Sequence, residues 1–295
     1  MPLEPIGKLM SAARVGGYAV GYFESWNLES LQGVIDAAEQ VRAPIIIGFN
    51  GDFLSRPERR ADERLAWYAG LGLTAAQSAS VPCGFIFNEC PNDAWVRDAA
   101  MAGFNLVMPA DPASSYEDYE RRVKELTTHA HRFGTAVEAE IGTLPCGASG
   151  TTGGDGEMTD PELAARFVAA TGVDLLAVSV GNVHIKLAGR QELNLERLEE
   201  IHELVPVPLV LHGGTGIATD SLKQAIKLGV TKVNYGTYLK QRYLAAVRSA
   251  LKSDVANPHE LLGIGGEPDV MVAGRHAVRD AVLERIETLG CCGRT

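Results

Sequence analysis

The feature that most restricts how this chain can fold is one alternation, repeated eight times. Short β-rich apolar runs take turns with longer segments of helical period. The runs that read as strands are Tyr18–Phe23, Ile45–Phe49, Gly84–Phe87, Leu106–Met108, Ala136–Ile141, Leu175–Val180, Leu209–Leu211 and Lys232–Tyr235. Between them, helices are expected at Leu28–Gln40, Asp62–Leu73, Asp93–Ala102, Tyr116–Phe133, Asp160–Ala170, Leu195–Leu204, Asp220–Leu228 and Thr237–Lys252, with a last one at His276–Leu289. Strands that are apolar almost throughout belong to sheets covered on both faces, as parallel strands are. Regular β/α alternation gives a parallel sheet. Eight units favour closure into a (β/α)8 TIM barrel of the α/β class; an open doubly wound sheet is the second reading. Thr159-Asp160-Pro161 and Thr219-Asp220-Ser221 supply cap chemistry at two helix starts. The 295 residues suit one barrel of ~250 residues with insertions, so residues 1–295 read as a single domain.

Composition excludes several functions. Hydrophobic residues make up 46% and charged residues 22%, enough apolar material for a large core without disulfide support. The net charge is −10 and there is no basic run, which argues against a nucleic-acid surface. An anionic ligand would have to be held by local donors. Five cysteines, Cys83, Cys90, Cys146, Cys291 and Cys292, are odd in number and lack CxxC spacing; they read as reduced thiols of a cytoplasmic protein. The start MPLEPIGKLM lacks the pattern of a signal peptide. No run approaches the ~20 apolar residues of a membrane span, so no membrane partner is expected.

Barrel enzymes work at the C-terminal ends of their strands, where the βα loops converge. Read in order, those ends carry Glu24, Asn50, Asn88 with Glu89, Asp111, Glu140, Asn182 with His184, His212 and Asn234. A ring of carboxylates and imidazoles around one mouth suits a metal ion. His212, in LVLHGGTG, precedes Gly213, Gly214 and Thr215, whose backbone could approach an anion closely. The other reading is a strand-end histidine bonded to backbone. His184, in AVSVGNVHIK, could equally be a buried neutral histidine. The ends of strands six and seven are neighbours in a barrel, and the two histidines together favour a metal. Asn234 and Thr237, in KVNYGT, suit the phosphate site that barrels form after strands seven and eight, although Thr237 is also a plausible helix cap. His129 and His131 read as surface residues near a helix end. His202, His259 and His276 carry no pattern. The long loop Gly142–Glu157 (GTLPCGASGTTGGDGE) reads as a lid, a binding loop or a disordered segment, and offers Asp155 and Glu157 as acids. Asn257–Val270 is a second glycine-rich loop.

The segments YAVGYFESWNLESLQGVIDAAEQVRAPIII, AGFNLVM, THAHRFGTAVEAEIGTL, TDPELAARFVAATGVDLLAVSVGNVH, LVLHGGTGI and LGVTKVNYGTYL resemble, in this order, the class II fructose-bisphosphate and tagatose-bisphosphate aldolases. The resemblance covers nearly the whole chain. It implies the barrel, and a zinc ion held by three histidines that polarises the ketone of dihydroxyacetone phosphate. It also implies an aspartate that handles the proton at the aldehyde oxygen, and a loop acid after strand five that abstracts a proton. Residue by residue it carries over His184 and His212 as ligands and Glu140 as a glutamate near the metal. Gly181, Lys186, Gly213, Gly214, Thr215, Asn234 and Thr237 carry over as phosphate and substrate positions.

The chain departs from the family at the mouth. Where the family has His-x-Asp-His-Gly, this sequence has Ile86-Phe87-Asn88-Glu89-Cys90. Asn88 stands in the place of the catalytic aspartate and can only hydrogen-bond a substrate oxygen; losing an acid–base group typically costs ~100- to 10,000-fold in rate. Glu89 stands in the place of a zinc histidine. Two histidines and one carboxylate still make a three-ligand set. The harder oxygen ligand makes Mn²⁺ or Fe²⁺ alternatives to Zn²⁺. Asn50 replaces a serine that contacts the substrate phosphate, Ile185 a glycine and Glu24 an asparagine; Asp111 is shifted by one position. The expectation is a metal-dependent aldolase or related carbon–carbon lyase acting on a phosphorylated hydroxy-ketone, assembled as a homodimer or homotetramer. Glu89, His184 and His212 would hold the metal, and Glu140, Asp155 or Glu157 would act as base. The alternatives are an isomerase, epimerase or hydrolase on the same scaffold, and a silent sugar-phosphate-binding protein.

Overall fold

The computed structural model describes residues 2–111, 114–142, 156–183, 190–252 and 255–295. Strands β1 (Val20–Glu24), β2 (Ile45–Asn50), β3 (Cys83–Cys90), β4 (Leu106–Pro109), β5 (Ala136–Ile141), β6 (Leu175–Val178), β7 (Leu209–Leu211) and β8 (Val230–Tyr235) pair in sequence order, all parallel. Pairing of β1 with β8, Phe23 opposite Tyr235, closes the barrel. Each strand alternates its side chains between two faces. In β3, Phe85 and Phe87 point outward, where Phe85 stacks on Phe104 and Phe87 on Trp95. Ile86 and Asn88 therefore face the barrel axis. Apolar contact with the helices and a polar mouth thus come from the same strand.

The helices wrap this ring: α1 (Ile6–Gly16), α2 (Leu28–Val41), α3 (Gly51–Ser55), α4 (Leu65–Ser78), α5 (Asp93–Met101), α6 (Tyr116–His131), α7 (Pro161–Thr171), α8 (Leu195–Leu204), α9 (Thr219–Lys227), α10 (Thr237–Ala250), α11 (Pro258–Leu261) and α12 (Val270–Leu289). The strands and main helices fall where the alternation predicts, with shifted ends. Helix α1 was not expected. It buries Ile6, Leu9, Met10 and Ala13, one helical face, against the N-terminal ends of the strands, where the Thr231 hydroxyl meets the Met10 sulfur.

Local chemistry corrects several boundaries. Asp160 caps α7, accepting from the Leu163 N–H at 2.8 Å, so the helix starts at Pro161 and not at Asp160. Thr159 is buried and ties β5 to β6, donating to the Ile141 carbonyl and accepting from the Ser179 N–H. Thr219 lies inside α9 after Ala218, and Thr237 lies inside α10 after Gly236. Helix α12 starts at Val270, not His276, because Asp269 caps it through the Met271 N–H. The same carboxylate accepts from Gly263 and Gly265, which organises the second glycine-rich loop.

Candidate active site

The first element of the site is an irregularity in β3. Its pairing with β4 shifts register between Phe87 and Cys90, and Glu89 sits at the break with φ of +51°. A left-handed backbone at a residue with a Cβ costs on the order of 1–3 kcal/mol and persists only where its surroundings enforce it. The bulge lets two consecutive residues, Asn88 and Glu89, both serve the mouth. Asn50, at the end of β2 and abreast of Asn88, holds the result: its Nδ2 donates to Glu89 Oε2 at 2.8 Å.

The second element is His212, 1% exposed, immediately after β7. Its Nε2 lies 3.0 Å from Glu138 Oε1, and its Nδ1 lies 3.5 Å from both Glu89 Oε1 and Glu140 Oε2. Beneath it, the fully buried Lys232 bonds Glu138 at 2.8 Å and Asn234 Oδ1 at 2.6 Å. Burial alone would depress the His212 pKa, but Glu140, Glu138 and Glu89 outweigh it and raise the value to about 10. Burial likewise pulls Lys232 below the ordinary lysine value, against the pull of Glu138. Burial would raise the Glu138 pKa, but Lys232 and His212 hold it below the ordinary carboxylate value. The surroundings of His212 therefore favour a cation at its Nδ1.

The resemblance read from the sequence implies a metal, and this donor set can be tested against one. Ligands sharing a tetrahedral zinc at ~2.1 Å stand ~3.4 Å apart. The separations from His212 Nδ1 to the two carboxylate oxygens match that spacing. The Glu138 contact on Nε2 is the outer support that metal-bound histidines usually have, and it turns Nδ1 toward the mouth. Among the described residues, no group of three or more His, Cys, Asp or Glu side chains is by itself placed to hold a metal. His184, the remaining expected ligand, lies outside them, as do Lys186 and Asp155. His212 fits a divalent ion beside Glu89 or Glu140 in donor kind and in spacing, and the set needs a further ligand.

A cavity of about 690 Å³ opens beside these residues, lined by Glu89, Glu140, Tyr119, Met108, Asp111 and Glu157 among others. Asp111 accepts from the Ser114 hydroxyl at 2.5 Å. Asn88 is buried, and its Oδ1 makes no hydrogen bond among the described residues. Gly181 and Gly213 both have positive φ, +94° and +66°, and Gly214-Thr215-Gly216 forms a single 3₁₀ turn after His212. On the far side of the mouth, Glu24 accepts from Lys240 Nζ at 2.5 Å, and its other oxygen packs where a Cβ on Gly236 would stand.

Sequence reasoning overlooked Glu138, Lys232 and Lys240. Period-two alternation could have found the first two: Glu138 and Glu140 share one face of β5, as Lys232 and Asn234 share one face of β8. Lys240 lies in α10, and nothing in its local sequence marks it.

Comparison with known proteins agrees with this architecture. The sequence model of the family described as fructose-bisphosphate aldolase class-II matches residues 4–294. The chain is 34% identical over 278 residues to the YdjI protein of Escherichia coli K12, covering 94% of each. It is 31% identical over 306 residues to a fructose-bisphosphate aldolase of Geobacillus stearothermophilus, covering 100% of this chain and 99% of that one. The crystal structure described as the YdjI aldolase superposes with a TM-score of 0.82, covering 99% of both chains at 32% identity.

Proposed function

The chain belongs to the class II fructose-bisphosphate aldolase family, and from that premise we propose that it cleaves a phosphorylated hydroxy-ketone by aldol cleavage, with Glu89, His184 and His212 as the ligands of a divalent ion. Family membership makes it a metal-dependent aldolase-type lyase. The observation that supports this ligand set is the Glu89 carboxylate oxygen 3.5 Å from His212 Nδ1, the spacing of two ligands on one ion. When bound, the metal would supply a Lewis acid that polarises the substrate ketone. Zinc fits the family; the oxygen ligand of Glu89 adds Mn²⁺ and Fe²⁺ as candidates.

The chain's own residues would divide the remaining work. Glu138 orients the His212 ring and Lys232 balances its charge. Glu140 and Glu157 line the cavity and are the described candidates for the base that takes the proton from the carbon beside the ketone. Asn88 can donate to the aldehyde oxygen but cannot deliver a proton to it. Gly213, Thr215, Asn234 and Thr237 would hold the phosphate.

Elemental analysis of the purified protein beside a His212→Ala variant tests the ligand set. Near-stoichiometric metal in the first and its loss in the second is the expected result; equal metal in both removes the reading. Asn88 also favours a second reading, enolisation without cleavage, because that step needs only a base and a Lewis acid. Solvent deuterium entering dihydroxyacetone phosphate, with no aldehyde released from any ketose phosphate tried, would single it out.

A further inference from the structure

We propose that Asn50 is a positioning residue whose amide determines which oxygen of Glu89 is offered to the cation beside His212, and thereby which divalent ion the site selects. This rests on the metal reading above. Asn50 is buried at the end of β2, and its two amide atoms have separate partners. Oδ1 accepts from the Phe53 N–H at 3.1 Å and caps α3. That bond fixes which way the amide points, so Nδ2 faces β3 and donates to Glu89 Oε2 at 2.8 Å. The other carboxylate oxygen, Oε1, is the one 3.5 Å from His212 Nδ1.

A carboxylate can grip a metal with one oxygen or with both. Tetrahedral zinc suits one; larger, harder ions with more ligands accept two. A carboxylate with one oxygen held by an amide is biased toward single-oxygen ligation. Glu89 cannot easily escape that bias, because its backbone is pinned at φ +51° in the β3 bulge. A serine at position 50 could still cap α3, but its hydroxyl is one bond shorter than the asparagine amide and would fall short of Glu89. The two departures from the family, Asn50 and Glu89, therefore work as one device: the carboxylate that takes the imidazole's place receives a partner for its second oxygen.

Asn50→Ser and Asn50→Thr separate the two jobs, since both side chains are good N-caps and neither donates an amide to Glu89. Zn²⁺ and Mn²⁺ affinities of the full-length protein would be measured by chelator competition, with a thermal melt of each variant. Outer-shell losses typically cost ~10- to 100-fold in affinity. The expected result is a zinc loss of that size with a smaller manganese loss, so that the zinc-to-manganese ratio shrinks about tenfold, at a nearly unchanged melting temperature. In the Co²⁺-loaded protein, the intense visible band of four-coordinate cobalt should weaken in both variants. Equal losses of both metals that track a falling melting temperature would make Asn50 merely structural. Unchanged affinities and spectra would overturn the proposal outright. A wild-type protein that takes up no divalent ion sinks the metal reading itself, a result distinct from variants that match a metal-binding wild type.

Discussion

At His212 two effects oppose each other. Burial strips water from the ring and favours its neutral form, while Glu140, Glu138 and Glu89 favour the charged form and win, raising the pKa to about 10. A histidine with a raised folded-state pKa adds stability that is complete below its ordinary value of ~6.5 and is lost as pH rises through the folded value. The metal-free protein should therefore lose melting temperature, relative to a metal-free His212→Asn variant, between about pH 7 and pH 10. Metal displaces that proton, so the loaded protein should show a flatter profile and zinc uptake near pH 8 should release a proton. A gap between wild type and variant that widens with pH under chelator would contradict this. Asn88 offers a second test. Restoring the family's acid with Asn88→Asp should raise aldol cleavage of a family substrate by ~100-fold or more. An unchanged rate, measured by coupled assay, would remove the end of β3 from the proton-transfer path.

Among the elements, β2 and β3 are joined at a close approach that only glycine permits. A Cβ on Gly48 would collide with the Ile86 carbonyl oxygen, which is backbone and cannot swing aside. Gly48→Ala should cost ~3 kcal/mol or more by urea denaturation, the upper end of overpacking penalties. Gly70, exposed in α4 with nothing within 4 Å of its would-be Cβ, should do the opposite: Gly70→Ala should stabilise by ~0.5–1 kcal/mol. Legibility also differed from element to element. The apolar runs of β2, β5 and β7 announced themselves. Helix α1 was legible from Ile6, Leu9, Met10 and Ala13 at helical spacing and was overlooked. Helix α3 is five residues long and depends on the Asn50 side chain, so its sequence carries no period to read. The β3 bulge carries no local signal, because Glu89 does not favour positive φ and is held there by contacts from β2, β4 and β7.

Across the whole molecule, Lys232 of β8 reaches through the barrel interior to Glu138 of β5, both fully buried. Such a pair contributes little net stability, but breaking it takes from a buried carboxylate one of its two cationic partners. Lys232→Met should cost ~3–5 kcal/mol by urea denaturation, and adding Glu138→Gln should recover much of that. A single variant as stable as wild type would show that the pair is solvated in solution. The fold depended on information spread along the chain: eight β/α units, parallel strands apolar on nearly every residue, and glycines and caps at the joints, all local patterns that survive without knowledge of neighbours. The identity of most mouth residues came the same way, because strand ends can be counted. Their partners could not be counted. That Asn50 grips Glu89 depends on the pairing of β2 with β3, that Glu138 holds the back of His212 depends on the curvature that brings β5 within reach of β7, and that Glu24 pairs with Lys240 across 216 positions depends on barrel closure. Closure brings side chains from distant strands within hydrogen-bond reach, and buried charges then select one another by Coulomb attraction in a medium that water no longer screens.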